Sequence, residues 1–233
     1  MPEYSEVAAG LSMPLAEAMR TQRAVRRLRS EPVDDDTVRA VLELATKAPT
    51  ASNEQSWEFV VVRDPDVKHA LARLNRQAFS LYRRRLARQV RGDIKGARML
   101  AAVAYQADHF EDTPVVVVAC LHGRPGPIRL SQGAFYASIF PAVQNLLLAA
   151  RSIGLGATLT TLPLWSQTQA RRTLGLPRGV TACAVIPLGW PQRGGYGPTT
   201  RRPVDEVLHL DHYGNQPFRS GSNSPSAGIA HSS

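Results

Sequence analysis

A chain of 233 residues with 43% hydrophobic and 20% charged side chains has enough apolar surface to bury one substantial core, which excludes a disordered or low-complexity protein. No apolar run approaches the ~18 residues of a membrane span, and no basic stretch followed by an apolar one opens the chain, so neither a membrane partner nor secretion is expected. The net charge of +9 favours phosphorylated or polyanionic partners, while Cys120 and Cys183 sit in apolar strand-like runs and read as buried hydrophobes in a reducing, cytoplasmic setting.

In chain order, residues 1–14 show no firm pattern, and Leu15, Ala18 and Met19 then suggest an amphipathic entry helix. Five arginines follow between positions 20 and 29. Guanidinium groups bind phosphate oxygens bidentately, so this is a candidate anion site; the alternative is a helix end whose negative dipole attracts cations. Residues 32–48 read as a helix opened by Asp34, Asp35 and Asp36, with Val38, Val41, Leu42 and Ala45 on its apolar face. Pro49 stops it. The segment from Thr50 to Gln55 concentrates hydrogen-bonding groups, suited either to the rim of a planar heteroaromatic ring or to an ordinary polar turn with Trp57 as a core plug.

Residues 59–62 then read as a buried strand, and residues 66–105 as helical with breaks at Gly92 and Gly96. Arg84, Arg88, Arg91, Lys95 and Arg98 fall at helical spacing there, with Arg83 and Arg85 beside them. They form a solvated face, a basic lid over a dinucleotide or acidic substrate, or a nucleic-acid surface. Nucleic acid is the least favoured, because no recognition motif accompanies the cluster. Residues 113–120 are β-branched and apolar on both faces, hence a central strand. Residues 131–152 read as one long apolar helix, either the spine of the domain or a dimer seam. Gly154 ends it in the left-handed conformation, and the glycine pair at 154 and 156 is no dinucleotide fingerprint, because it follows a helix. A short helix over 167–174 and an apolar strand over 180–188 complete the pattern; after Gly214 the composition turns to Asn, Ser, Gly and Pro.

Three stretches in this order, Gln22–Arg27, Ala48–Phe59 and 197–209, resemble the FMN-dependent nitroreductase family over roughly residues 15–214. The resemblance implies an α+β fold with a mostly antiparallel sheet of four to five strands flanked by helices, homodimeric around the 131–152 helix. It implies one domain over 1–214 and a disordered tail over 215–233. It implies FMN as cofactor, NAD(P)H as co-substrate and an electron-poor small molecule, a nitroaromatic or quinone, as acceptor, with no side-chain nucleophile or base. By position the flavin contacts fall to Arg23, Ala24, Arg26, Pro49, Thr50, Ala51, Asn53, Ser138, Thr160, Thr161, Leu162, Arg201 and Arg202, the loop residues 49–53 reaching across the dimer. Gln22 replaces an expected arginine, for which Arg27 or a distant arginine would compensate, and Ser56 stands where the family usually has proline. A non-redox flavin- or nucleotide-binding protein is the alternative, with a basic nucleic-acid binder behind it.

Overall fold

The computed structural model describes residues 11–192 and 196–219, which fall into two compact units divided after Gly197. The first unit carries the sheet. Strands β1 (Trp57–Val62), β2 (Val115–His122), β3 (Gly156–Ala157) and β4 (Val180–Gly189) pair antiparallel throughout, in the order β1-β2-β4-β3. The register runs Trp57 opposite Leu121 to Val62 opposite Val116, so β2 lies between β1 and β4, as its two apolar faces require.

Alternation along β2 builds both cores. Val115, Val117, Ala119 and Leu121 join a cluster with Val38, Val41 and Ala45 of α2 (Asp35–Ala45) and Ile139, Val143 and Leu146 around α6 (Phe140–Ser152). Val116, Val118 and Cys120 face the opposite cluster, with Leu71 and Leu74 of α3 (Pro65–Gln89) and Ala170 of α7 (Gln167–Thr173). Each of these valines is fully buried, which stabilises by about 1.5–3 kcal/mol per side chain. A bulge between Ala119 and Cys120 lets two residues of β4 oppose one of β2 and turns Cys183 towards the α2/α6 side.

The helices begin and end for local reasons. α1 (Leu15–Thr21) is short. α2 is narrower than the 32–48 pattern, because Asp34 caps it: its carboxylate accepts from the Thr37 amide and hydroxyl, both at 2.7 Å. Burial alone would raise the Asp34 pKa; the Thr37 hydrogen bonds outweigh this and hold it below its ordinary value. α3 and α4 (Ile94–Asp108) are separated by a turn in which Gly92 takes φ 82°. Gly96, expected as a second break, lies inside α4, whose cap is Asp93.

The long helix expected over 131–152 is two helices, α5 (Arg129–Ala137) and α6. Pro141 has no amide hydrogen and its ring obstructs the carbonyl four residues back, so the chain turns at Ser138 and Ile139. Taken together, Arg129–Ser152 is apolar and long enough to cross a membrane by length and composition. However, α6 buries seven residues within the domain, whereas α5 buries none. α6 ends in a Schellman motif: Gly154 (φ 82°) donates to the Arg151 carbonyl at 3.1 Å and Leu155 to that of Ala150 at 2.8 Å. Of the tail expected over 215–233, residues 220–233 lie outside the described residues.

Candidate active site

The arginine segment leaves α1 extended and lies along the β3 edge. The Val25 amide donates to the Ala157 carbonyl at 3.0 Å, Ala24 bridges to Ala157 in parallel, and the Arg29 amide reaches the Trp190 carbonyl at 2.7 Å. Gly156 makes this approach possible: a Cβ there would stand 2.8 Å from both Leu28 Cδ2 and Val25 Cγ1. Arg23 is exposed on this segment. The Arg26 guanidinium is half-buried, and among the described residues it makes no hydrogen bond or ion pair. Burial lowers its pKa from the ordinary arginine value.

Beside Arg26 opens a cavity of about 530 Å³, lined also by Tyr105, Gln106, His109, Thr113 and Gln192. The Gln106 side chain is only 7% exposed, and its Nε2 donor is buried without a partner. Leaving such a donor unmade costs about 1–3 kcal/mol. A stacked wall stands behind it. Arg27 lies 3.8 Å over the Tyr105 ring, Tyr105 stacks on His109 at 4.2 Å, and His109 Nδ1 meets Asp112 Oδ2 at 2.9 Å. Arg27 therefore packs on Tyr105. Gln192 ties the two parts together, its Nε2 donating to Tyr105 Oη at 2.7 Å and to the Leu28 carbonyl at 3.1 Å. Sequence reasoning missed Tyr105, Gln106, His109 and Gln192. Gln106 and His109, three apart and so on one helix face, were the available signal.

The loop after α2 holds an unusual backbone. Ser52, Asn53 and Gln55 take φ 52°, 53° and 51°, conformations that non-glycine residues adopt rarely and at a cost of order 1–3 kcal/mol each. Thr50 Oγ1 accepts from the Gln55 amide at 3.0 Å and Asn53 Oδ1 from Gln55 Nε2 at 3.2 Å, which fixes the turn. The Ser138 hydroxyl, 6% exposed at the α5/α6 break, accepts from the Ala51 amide and donates to the Ala134 carbonyl, both at 3.2 Å. It thus anchors the loop from behind. Pro49, Ala51 and Asn53 remain exposed, with Thr50 half-buried.

The segment after β3 continues along β4, with Thr160 and Val185 exchanging amide-to-carbonyl bonds at 2.9 Å. Thr158 is buried, and its hydroxyl has no partner. Thr161 and Leu162 turn out of the sheet and line a second cavity of about 500 Å³ with Tyr82, Tyr136, Phe140 and Trp165. Tyr136 and Phe140 stack at 6.0 Å there. Cys183 borders it as a buried thiol whose pKa burial pushes up to about 11. Arg201 and Arg202 belong to the second unit. The Arg201 guanidinium donates to the Thr200 carbonyl at 2.9 Å, and Arg202 is exposed.

A model described as the nitroreductase family matches residues 19–190. The chain belongs to that family and is an FMN-dependent oxidoreductase. Similar proteins include the iodotyrosine deiodinase 1 of Rattus norvegicus, 27% identical over 202 residues covering 84% of this chain and 69% of that one. A putative NADH dehydrogenase/NAD(P)H nitroreductase of Methanothermobacter thermautotrophicus is 28% identical over 202 residues, covering 85% and 87%. Among solved structures, a putative nitroreductase in complex with FMN from Desulfovibrio desulfuricans superposes with a TM-score of 0.63 at 25% identity, covering 86% of this chain and 98% of that one.

The residues present fit a flavin. The guanidinium of Arg26, which makes no ion pair among the described residues, lines one cavity, a group suited to the carbonyl-bearing, anion-forming edge of the ring. The second cavity offers aromatic walls to a planar guest.

Proposed function

We propose that this protein is a homodimeric FMN-dependent oxidoreductase that takes reducing equivalents from NAD(P)H and passes them to an electron-poor aromatic acceptor, a nitroaromatic or quinone. The observation that carries this reading is Arg26, a half-buried cation that makes no ion pair among the described residues, in the cavity that Gln106 also lines. FMN, when bound, would supply the hydride chemistry between the nicotinamide and the acceptor.

The chain's part is to bind, orient and exclude water. Arg26 stabilises negative charge on the N1/C2=O side of the ring, and Arg23, exposed three residues earlier on the extended segment, attracts the phosphate. Ala24 holds the segment against Ala157, and the backbone from Thr160 to Leu162 lines the site at the N5 side. Tyr82, Tyr136, Phe140 and Trp165 give a planar acceptor a stacking surface. The partner copy contributes Pro49, Thr50, Ala51 and Asn53 from its preformed loop. Support for the dimer comes from the apolar surface left uncovered around α5: Ile128 at its cap, Leu130 within it and Phe140 at the start of α6 are 61%, 80% and 38% exposed.

Steady-state assay of the purified protein with nitroaromatics, quinones and iodotyrosine at fixed NAD(P)H tests the acceptor. Turnover of nitroaromatics or quinones is the expected outcome. Turnover of iodotyrosine alone, releasing iodide as the carbon–iodine bond takes two electrons and a proton, would move the activity to reductive dehalogenation.

A further inference from the structure

The basic stretch over residues 83–98 is not used by the site described above. It contains Arg83, Arg84, Arg85, Arg88, Arg91, Lys95 and Arg98 against the single acid Asp93, a net +6 of the protein's +9. All seven cations are exposed, and among the described residues none of their side chains makes an ion pair or hydrogen bond. The structure shows where this charge sits: it caps the far end of α3 and the start of α4, and Tyr82, immediately before it, lines the second cavity together with Thr161 and Leu162. Arg85 and Leu86 lie one helical turn beyond Tyr82 on the same face, about 5 Å further along the axis.

We infer that this basic tip receives the phosphate groups of the reducing dinucleotide at the mouth of the second cavity, so that the enzyme prefers NADPH to NADH. The inference rests on the proposed flavin reading and deepens it. The aromatic walls take the nicotinamide, whose ring must reach the N5 side of the flavin at Thr161 and Leu162. The remainder of the dinucleotide then extends past Tyr82 towards Arg85, one helical turn beyond it. Both reductants carry the pyrophosphate; NADPH adds a 2′-phosphate of about −1.5 to −2. The exposed cations of this tip raise the local potential next to Tyr82 and act on that extra charge, and salt screens exposed charges over a Debye length of ~8–10 Å.

The test is kcat/KM for NADPH and NADH with the flavin-loaded protein at low and high ionic strength. Wild type is compared with the Arg85→Glu/Arg88→Glu double variant and with Arg39→Glu/Arg172→Glu, an equal charge change at exposed positions elsewhere. The expected result is an NADPH preference that falls about tenfold in the first variant and on raising salt, and is unmoved in the second. The salt series on wild type gives the answer even where a variant folds poorly. A bound flavin reduced equally by both nucleotides, with a ratio indifferent to salt and to the reversal, overturns the inference and leaves the flavin reading intact. Retardation of duplex DNA by wild type, lost in the Arg85/Arg88 variant while the nucleotide ratio stays fixed, overturns it in favour of nucleic acid. A protein that binds no flavin overturns both.

Discussion

Arg26 and Gln106 occupy the same cavity, yet only one of them could be found in the sequence. Arg26 stands at a fixed distance from Arg23 in a motif that ends a helix, so spacing marks it. Gln106 is one amide in an apolar helical stretch, and nothing local says that its donor is left over; that fact exists only once the neighbours are packed. Replacing Arg26 by Gln should weaken flavin binding by about 1.5–3 kcal/mol, the scale of a hydrogen bond to a charged group. With Arg26 facing the ring, as proposed, FMN and riboflavin should lose equally in a fluorescence titration; a loss confined to FMN would put Arg26 at the phosphate. The thiols give a second check at this scale. Burial pushes Cys120 to about 12 and Cys183 to about 11, so near pH 8 both are protonated and sheltered. Alkylation of the native protein should be slow and should become rapid only on unfolding; fast native labelling of either would contradict the packing.

At the scale of elements, strands were easier to read than helix ends. The alternation and β-branching of β2 mark a strand buried on both faces, and the structure places it between two neighbours with separate cores on either side. The apolar stretch over residues 131–152 hid a break, because hydrophobicity continues through Ser138 and Ile139 and only Pro141 interrupts the hydrogen-bond ladder. That break seats Ser138 under the Ala51 amide, so the misread boundary is also what positions the loop. Asp34 makes a prediction of its own. Its folded pKa lies below the ordinary 3.8, so the cap's contribution is fully present above that value and is lost as pH falls through the depressed folded pKa. Asp34→Ala should cost about 1 kcal/mol in denaturant unfolding at neutral pH. The difference from wild type should shrink well below pH 3.8; a cost independent of pH would show that the carboxylate charge is not the cause.

For the whole molecule, the α+β class and antiparallel sheet follow from the order of apolar runs together with the family resemblance, and the family match and the sheet agree with both. The proposed pairing of cofactor contacts across two copies is implied by the family resemblance alone, since one chain cannot display it. It can be tested by complementation. Arg23→Glu and Asn53→Ala should each lose flavin when purified alone. Mixed dimers of the two should regain about a quarter of the sites, since half of the dimers are mixed and each has one intact pair under two-fold symmetry. No recovery on mixing would place both residues in one chain's site.

The most direct measurement is an anaerobic titration of the purified protein with NADPH, followed in the visible absorption of bound flavin. A flavin spectrum that bleaches with one reductant per site and returns on adding a nitroaromatic or quinone is the predicted result. A protein that purifies colourless and stays so after incubation with FMN, or a bound flavin that no reduced nicotinamide bleaches, would contradict it.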